Sequence, residues 1–257
     1  MALDRTFKPF SGVGIITLAP RDALTGLPNG GAIDLGEGSK LSLSQQSPKL
    51  ELNTSRSSDR GVAFTMAQSR SGDVAIELRT LSDPVLALLT QGAWTETAAG
   101  AAVVGWTAPT GLTVGEVIQL PAQNLSAVVV KDSAGSPATV PITKYDLDAA
   151  AGTIKLLDVT GYTQPFKVDY TPGAIKTLGA FKAPTQDFVM RFAGTNSYDG
   201  ERVTVEVYKF RFAAEGELAL IETEFGTYQL NGSIQKDETK AANSAGGQYY
   251  KMVKAGA

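Results

Sequence analysis

The stretch Gly72-Asp-Val-Ala-Ile-Glu-Leu-Arg-Thr80 decides the fold class of this chain. Apolar and charged side chains alternate along it, with Val74, Ile76 and Leu78 set against Asp73, Glu77 and Arg79. A period of two is typical of a β-strand that has one buried face and one solvated face. Similar alternation occurs over residues 40–44, 49–53, 187–192 and 227–235, and turn dipeptides such as Asp199-Gly200 separate the runs. The pattern therefore predicts an all-β protein, an antiparallel β-sandwich or barrel.

Residues 203–212 form a strand whose pattern changes direction. Val203, Val205 and Val207 share one face, whereas Tyr208, Phe210 and Phe212 share the other. Either a β-bulge reverses the register, or the strand passes from one buried environment into another. Because both faces carry apolar side chains, we expect this strand to lie centrally in a sheet.

Residues 83–91 carry the signals of a helix. Ser82 is a suitable N-cap, Pro84 falls in the first turn, and Gly92 is a suitable residue just past the end. Nearly every long side chain is apolar, with Val85, Leu88 and Leu89 in one stripe that Leu86 widens. Two interpretations stay open, because the helix can be core beneath one sheet or can also meet a neighbouring subunit.

Residues 94–175 differ in composition from the rest of the chain. They carry seven acidic and four basic residues, whereas acidic and basic residues balance elsewhere. A loose Ala/Gly/Thr segment over 95–105 precedes expected strands at 114–120, 126–131, 152–157 and 166–170. We therefore expect a small β subdomain, 94–175, inserted into a β body formed by residues 1–93 and 176–257.

The composition excludes several classes of function. The 257 residues include no cysteine and no histidine, which excludes cysteine nucleophiles, cysteine or histidine zinc sites, disulfides and the serine–histidine–aspartate triad. A formal net charge of −3 provides no general basic excess for gripping nucleic acid. Residues 145–152 faintly resemble a calcium loop, but Leu157 stands where the bidentate glutamate is needed. We expect no cofactor and no metal.

The chain shows no targeting or membrane signal. Charged residues occupy the start, where a signal peptide needs an apolar run, and no stretch approaches the roughly 18 apolar residues that span a bilayer. We expect the protein to be made and kept, or assembled, in a cytoplasm, without membrane contact.

Residues 44–72 combine strand-like flanks with a polar centre. The pattern predicts a long hairpin whose tip, residues 54–61, projects from the body. Arg56, Asp59 and Arg60 are either an interaction cluster or a solvated loop. Long ordered loops tend to carry function, which favours interaction.

The order of these elements resembles that of the major tail tube proteins of tailed bacteriophages. The resemblance covers roughly residues 10–92 and 180–253. It follows the first strand at 13–18, the hairpin around 55–61, the strand at 70–78 and the Asp-Pro-Val-Leu-Ala-Leu-Leu helix. It continues through residues 188–196, 205–212, 216–220, 222–226 and 228–232.

The resemblance implies a structural virion protein without enzymatic activity. Subunits would close into rings, commonly hexameric, and the rings would stack into a hollow tail tube through which DNA passes without specific binding. The implied partners are further copies of the chain, a tape measure protein, and tail terminator and tip proteins. The implied location is the virion tail, assembled in the host cytoplasm.

Three groups of residues receive roles from the resemblance. The hairpin between subunits and rings would include Thr54, Arg56, Asp59, Arg60, Gly61 and Phe64. The helix at the subunit boundary would include Pro84, Val85, Leu86, Leu88 and Leu89. Strands of the inner wall would present Asp73, Glu77, Arg79, Thr204 and Glu206. A wall of near-neutral charge would let DNA slide, whereas a basic wall would hold it.

The sequence is also compatible with two other functional classes. One is a capsid decoration or adhesin-like binding module, with residues 94–175 as its recognition part and a stable monomer or trimer as its form. The other is a hydrolase that uses two carboxylates in a deep pocket, with raised pKa values.

Overall fold

The structure, a computed structural model, describes residues 7–55, 60–213 and 217–255. The protein is all-β, with 48% of residues in strands, 4% helical and antiparallel sheets. It divides into two compact units, which we name the body (Met1–Ala93 and Ala180–Ala257) and the insert (Trp94–Gly179). The insert predicted from the sequence ends at residue 175, whereas the compact unit extends to Gly179.

The elements follow one another in chain order as eighteen strands, one α-helix and one 3₁₀ turn in the described residues. They are β1 (Gly12–Pro20), β2 (Ile33–Asp34), β3 (Gly38–Gln46), β4 (Lys49–Asn53), β5 (Val62–Ala67), β6 (Ser71–Leu78), α1 (Asp83–Leu89), β7 (Ala93–Thr97), β8 (Val103–Thr107), β9 (Val117–Gln119), β10 (Leu125–Lys131), the 3₁₀ turn (Ile142–Lys144), β11 (Tyr145–Asp148), β12 (Thr153–Leu156), β13 (Lys167–Pro172), β14 (Ile175–Gly179), β15 (Asp187–Asn196), β16 (Arg202–Phe212), β17 (Tyr228–Ile234) and β18 (Tyr250–Ala255).

The body is built on one eight-stranded sheet in the order β2-β1-β15-β16-β17-β6-β3, with β18 beside β16. Although β2 and β3 stand at opposite ends of this order, only residues 35–37 separate them in the chain. Such a connection spans at most about 14 Å from Asp34 to Gly38, so the sheet rolls up until its ends approach each other. Gly38 of β3 lies close to β1 at this point. A Cβ atom added to Gly38 would be 3.5 Å from Cδ1 of Ile16.

The rolled sheet encloses the core of the body. Val74, Ile76 and Leu78 of β6 are almost wholly buried, as the alternation at 72–80 predicts. They pack with side chains from β1, β15, β16 and β17, with Leu35 and with Val85 of α1. The core cluster consists of Ile16, Leu18, Leu35, Val74, Ile76, Leu78, Val85, Phe188, Met190, Val207, Phe210, Phe212, Leu230 and Ile234.

A β-bulge explains the change of pattern in β16. Opposite β15 the register moves from Phe188↔Phe210 to Met190↔Val207, which leaves one extra residue in β16. Val207 and Tyr208 are consequently both buried although they are neighbours in sequence. β16 lies centrally in the sheet, between β15 on one edge and β17 and β18 on the other.

Ser82 occupies the predicted N-cap position, although without a side-chain hydrogen bond. Three other details of the sequence prediction for residues 79–92 are wrong. The helix ends at Leu89 and not at Gln91. Gln91, with φ of 47°, takes the left-handed conformation expected of Gly92. Arg79 lies beyond the end of β6, where its N–H donates to the carbonyl of Glu37 at 2.8 Å.

The insert has its own core between two three-stranded sheets, β10-β13-β8 and β11-β12-β9. Phe166, Val168, Ile154 and Val130 are completely buried there. The loose segment predicted at 95–105 is confirmed only over 98–102, because β7 pairs with β14 and β8 pairs with β13. These two strands are rich in small residues and glycine, so their composition alone did not indicate strands.

Candidate functional site

The most distinctive surface of the body is a two-stranded hairpin, which we call the arm and define as residues 49–67. The arm continues the hairpin formed by β3 and β6, whose last paired residues are Gln46 and Ser71. Between the two hairpins, the N–H of Gln68 donates a hydrogen bond to the carbonyl of Pro48 at 2.8 Å. Lys49 then pairs with Ala67 in the arm itself. The arm thus extends from one end of β3 and β6.

The tip of the arm is closed by a backbone hydrogen bond. The N–H of Thr54 donates to the carbonyl of Gly61 at 2.8 Å. Arg60 is exposed and has a φ of 45°. Arg56 and Asp59, which the sequence analysis assigned to the same cluster, lie outside the described residues.

One face of the arm is apolar and uncovered. Leu50 pairs with Met66 and Leu52 pairs with Phe64, and directly opposite residues in an antiparallel ladder share a face. Phe64 is 74% exposed and Leu52 is 65% exposed. A two-stranded hairpin without a layer packed on it is marginally stable in water. The arm therefore presents a surface suited to a partner.

The helix divides its apolar side chains between the core and a cavity. Val85 is fully buried, and Leu88 and Leu89 pack against the body core. Leu86 is half-buried, and Pro84 is exposed. The apolar cavity beside the helix has a volume of about 260 Å³ and is lined by Pro20, Ile33, Pro84, Ala87, Leu88, Gln91, Gly92, Ala183, Pro184, Thr185, Gln186, Phe188 and Phe212. Packing in the body core explains why Val85, Leu88 and Leu89 are apolar. The edge of the helix at Pro84 faces the cavity and is available for contact with another molecule.

The face of the sheet opposite the core, which we call the polar face, carries charged residues of both signs, together with the exposed apolar residues Val13, Ile15 and Val253 of strands β1 and β18. Glu206 lies directly between Arg191 of β15 and Lys251 of β18, and the Lys251 Nζ is 3.0 Å from the Glu206 carboxylate. Glu77 faces Lys40 of β3, with 3.5 Å between Nζ and Oε1.

The residues predicted for an inner wall fall into two groups. Asp73 and Glu77 of β6 and Thr204 and Glu206 of β16 project on the polar face, since their neighbours in sequence are buried. Arg79 follows the last residue of β6 and therefore lies outside that strand. Asp73 accepts a hydrogen bond from Gln46 at 3.5 Å.

A second uncovered apolar segment was missed by the sequence analysis as a site. Residues 217–227, which we call the acidic loop, lead into β17 without regular structure. Ile221 is 95% exposed and Phe225 is 93% exposed, among the acidic residues Glu217, Glu222 and Glu224. The sequence feature that could have identified this loop is the mixture of glutamate and large apolar residues without any basic residue.

A buried ion pair ties the β1–β2 connection to the segment before β18. Arg21 Nη2 lies 2.6 Å from Asp237 Oδ1, and both side chains are buried. Burial alone would raise the pKa of Asp237, but hydrogen bonds from Thr239 and from Arg21 outweigh it and hold the pKa below its ordinary value. The pair is a structural clamp, because Asp237 is needed in its charged form to hold these segments together.

The carboxyl groups of the described residues offer no observation in favour of the hydrolase alternative. The pKa is held below its ordinary value for every aspartate with a resolved shift: Asp22, Asp132, Asp158, Asp169, Asp187, Asp199 and Asp237. In this part of the chain, we find no cluster of acidic residues arranged to hold a metal ion. Nor does any helix within the described ranges have the length and apolarity to cross a bilayer.

A protein-family model matches residues 9–253. The chain therefore belongs to the family described as "Protein of unknown function UCP028589". No curated protein matches the chain.

Proposed function

We propose that this protein is a structural component that assembles with copies of itself into stacked rings, forming the tube of a phage tail. The observation that carries the proposal is the apolar face of the arm, which has no core of its own to cover it. Burying four large apolar side chains contributes about 1.5 to 3 kcal/mol each when a partner covers them. A second copy is the simplest partner, because a contact between unlike surfaces repeats into rings or stacks.

The edge of β18 supports lateral association. Within the described residues, β18 pairs along one edge only, with β16. An unpaired strand edge offers backbone N–H and carbonyl groups to a neighbouring chain. Pairing with a neighbouring copy would continue the sheet from subunit to subunit around a ring, which the resemblance to tail tube proteins leads us to expect to be hexameric.

The polar face supports a role as the wall of a conduit for DNA. Acidic residues on it include Asp34, Asp73, Glu77, Asp187 and Glu206, and basic residues on it include Lys40, Arg191, Arg202, Arg211 and Lys251. A wall whose charges balance does not attract the phosphates of DNA on average, so DNA can slide along it. In this proposal the tape measure, terminator and tip proteins occupy the lumen and ends of the tube.

Electron microscopy and sedimentation over a rising protein concentration test the proposal. We expect rings or tubes of uniform bore in the full chain. Deleting residues 54–61 should leave the circular dichroism spectrum unchanged and abolish long tubes. A chain that stays a monomer or trimer at every concentration contradicts the proposal and favours the decoration or adhesin-like module.

A further inference from the structure

We infer that the arm of one copy docks on the acidic loop of the next copy, so that stacking is head to tail. This inference rests on the proposed function and adds to it the two surfaces that meet between rings. It follows from the position, the apolar character and the charge of the two segments.

The two segments lie at opposite ends of the same strands. The arm extends from Ser71, the first residue of β6, whereas the acidic loop enters β17 at Tyr228, which pairs with Leu78 at the last residue of β6. Seven residues of extended strand separate these ends, or about 23 Å at 3.3 Å per residue. An arm at one end and its receptor at the other generate an open stack rather than a closed pair.

Both segments are apolar and uncovered within one chain. Phe64 of the arm and Phe225 of the acidic loop are each more than 70% exposed, so neither segment covers the other intramolecularly. The arm offers Leu50, Leu52, Phe64 and Met66, and the acidic loop offers Leu220, Ile221 and Phe225. Contact between copies would remove both sets from water.

The charges of the two segments have opposite signs. Among its described residues, the arm carries the basic residues Lys49 and Arg60 against the acidic residue Glu51. The acidic loop carries Glu217, Glu222 and Glu224 and no basic residue. Two arms would repel each other weakly and two acidic loops strongly, so the complementary pairing is arm on loop.

A pair of charge-reversed variants tests this contact in the full chain. Variant one carries Lys49→Glu and Arg60→Glu, which makes both of its segments acidic. Variant two carries Glu222→Lys and Glu224→Lys, which makes both of its segments basic. Each alone should need about tenfold more protein to stack, because its arm and its loop then carry charge of the same sign. A mixture of the two should stack as wild type does, because each variant then meets a complementary partner.

Matched controls place the same charge changes on exposed residues of the insert. These are Lys155→Glu with Lys167→Glu, and Glu96→Lys with Asp146→Lys. Both controls should stack as wild type does, and all variants should keep the wild-type circular dichroism spectrum. The difference between the variants and wild type should shrink as salt rises from about 0.05 M to 0.5 M, because the Debye length falls well below 10 Å.

The outcomes separate this inference from the proposed function. If wild type assembles but each charge-reversed variant stacks equally well alone, the arm–loop contact is wrong and the tube proposal stands. A mixture that stacks no better than either variant alone also overturns the contact. If wild type forms no assembly at any concentration, both the contact and the tube proposal fail.

Discussion

Two hairpins of this chain have similar sequence patterns and opposite surroundings. In the insert, β11 and β12 place Tyr145 opposite Leu156 and Leu147 opposite Ile154, and all but Leu147 are buried. In the arm, β4 and β5 place apolar residues opposite one another in the same way, and all of them are exposed. An alternating pattern therefore indicates which face is apolar, but not whether the same chain covers that face.

The difference lies in what surrounds each hairpin. β12 has β9 on its other edge, and the sheet β10-β13-β8 contributes Val130, Val168 and Tyr170 to the same core. The arm is a separate two-stranded sheet in the described structure. The insert hairpin should accordingly govern stability, and the arm should govern association.

The largest expected effect is on the stability of the insert. Ile154→Ala should lower its free energy of unfolding by about 2 to 5 kcal/mol, because a buried side chain is replaced by a cavity. Denaturant unfolding followed by tryptophan fluorescence measures this, since Trp94 and Trp106 both lie in the insert. Leu52→Ala in the arm is the matched control and should change unfolding by less than about 0.5 kcal/mol. Equal losses from the two substitutions would contradict the comparison.

A substitution in the arm should act on association instead. Phe64→Ser should weaken assembly by about 2 kcal/mol per contact, or roughly 30-fold in the concentration needed, while unfolding stays unchanged. Sedimentation over a concentration series measures the shift. Thr65→Ala, on the opposite face of the arm, should assemble as wild type does; a shift as large as that of Phe64→Ser would remove the apolar face from the explanation.

A smaller effect should distinguish the glycines of the two hairpins. Gly152, in the turn between β11 and β12, has a φ of 71°, and an added Cβ would lie 2.1 Å from the carbonyl oxygen of Ala122. Gly152→Ala should cost at least about 1 kcal/mol. Gly61→Ala, in open space at the arm, should be within about 0.5 kcal/mol of wild type in urea unfolding. A neutral Gly152→Ala would show that the turn is less constrained than its geometry indicates.

The smallest effect concerns pH. A hydrogen bond from Lys144, beside β11, and one from the backbone N–H of Thr160 hold the pKa of Asp158 well below its ordinary value, while Asp158 raises the pKa of Lys144. Because the folded pKa of Asp158 is lowered, its stabilisation is present above about pH 4 and is lost as the pH falls below that value. Carbon-detected NMR titration of the Asp158 carboxyl measures this. Lys144→Met should move its midpoint upward, and an unchanged midpoint would show that the lysine is not the cause.

The sequence predicted local geometry well where alternation was regular. Val74, Ile76 and Leu78 were assigned to the correct face, and the reversal at residues 207–208 correctly pointed to an irregular central strand. It failed where the backbone was governed by distant contacts. Arg79 lies outside its strand, Gln91 replaces Gly92 as the left-handed residue, and two strands occupy part of the segment predicted to be loose.

By itself, the sequence determined the all-β class, the alternation of faces, and the absence of the cysteine and histidine chemistry that many enzymes use. Only the tertiary structure decided that the sheet rolls up to bring β2 near β3, that Arg21 and Asp237 meet in a buried clamp, and that the arm and the acidic loop lie at opposite ends of β6. The physical reason is that side-chain alternation is a local property of the backbone. Burial and strand neighbours depend on residues that are distant in the chain, which no short pattern records.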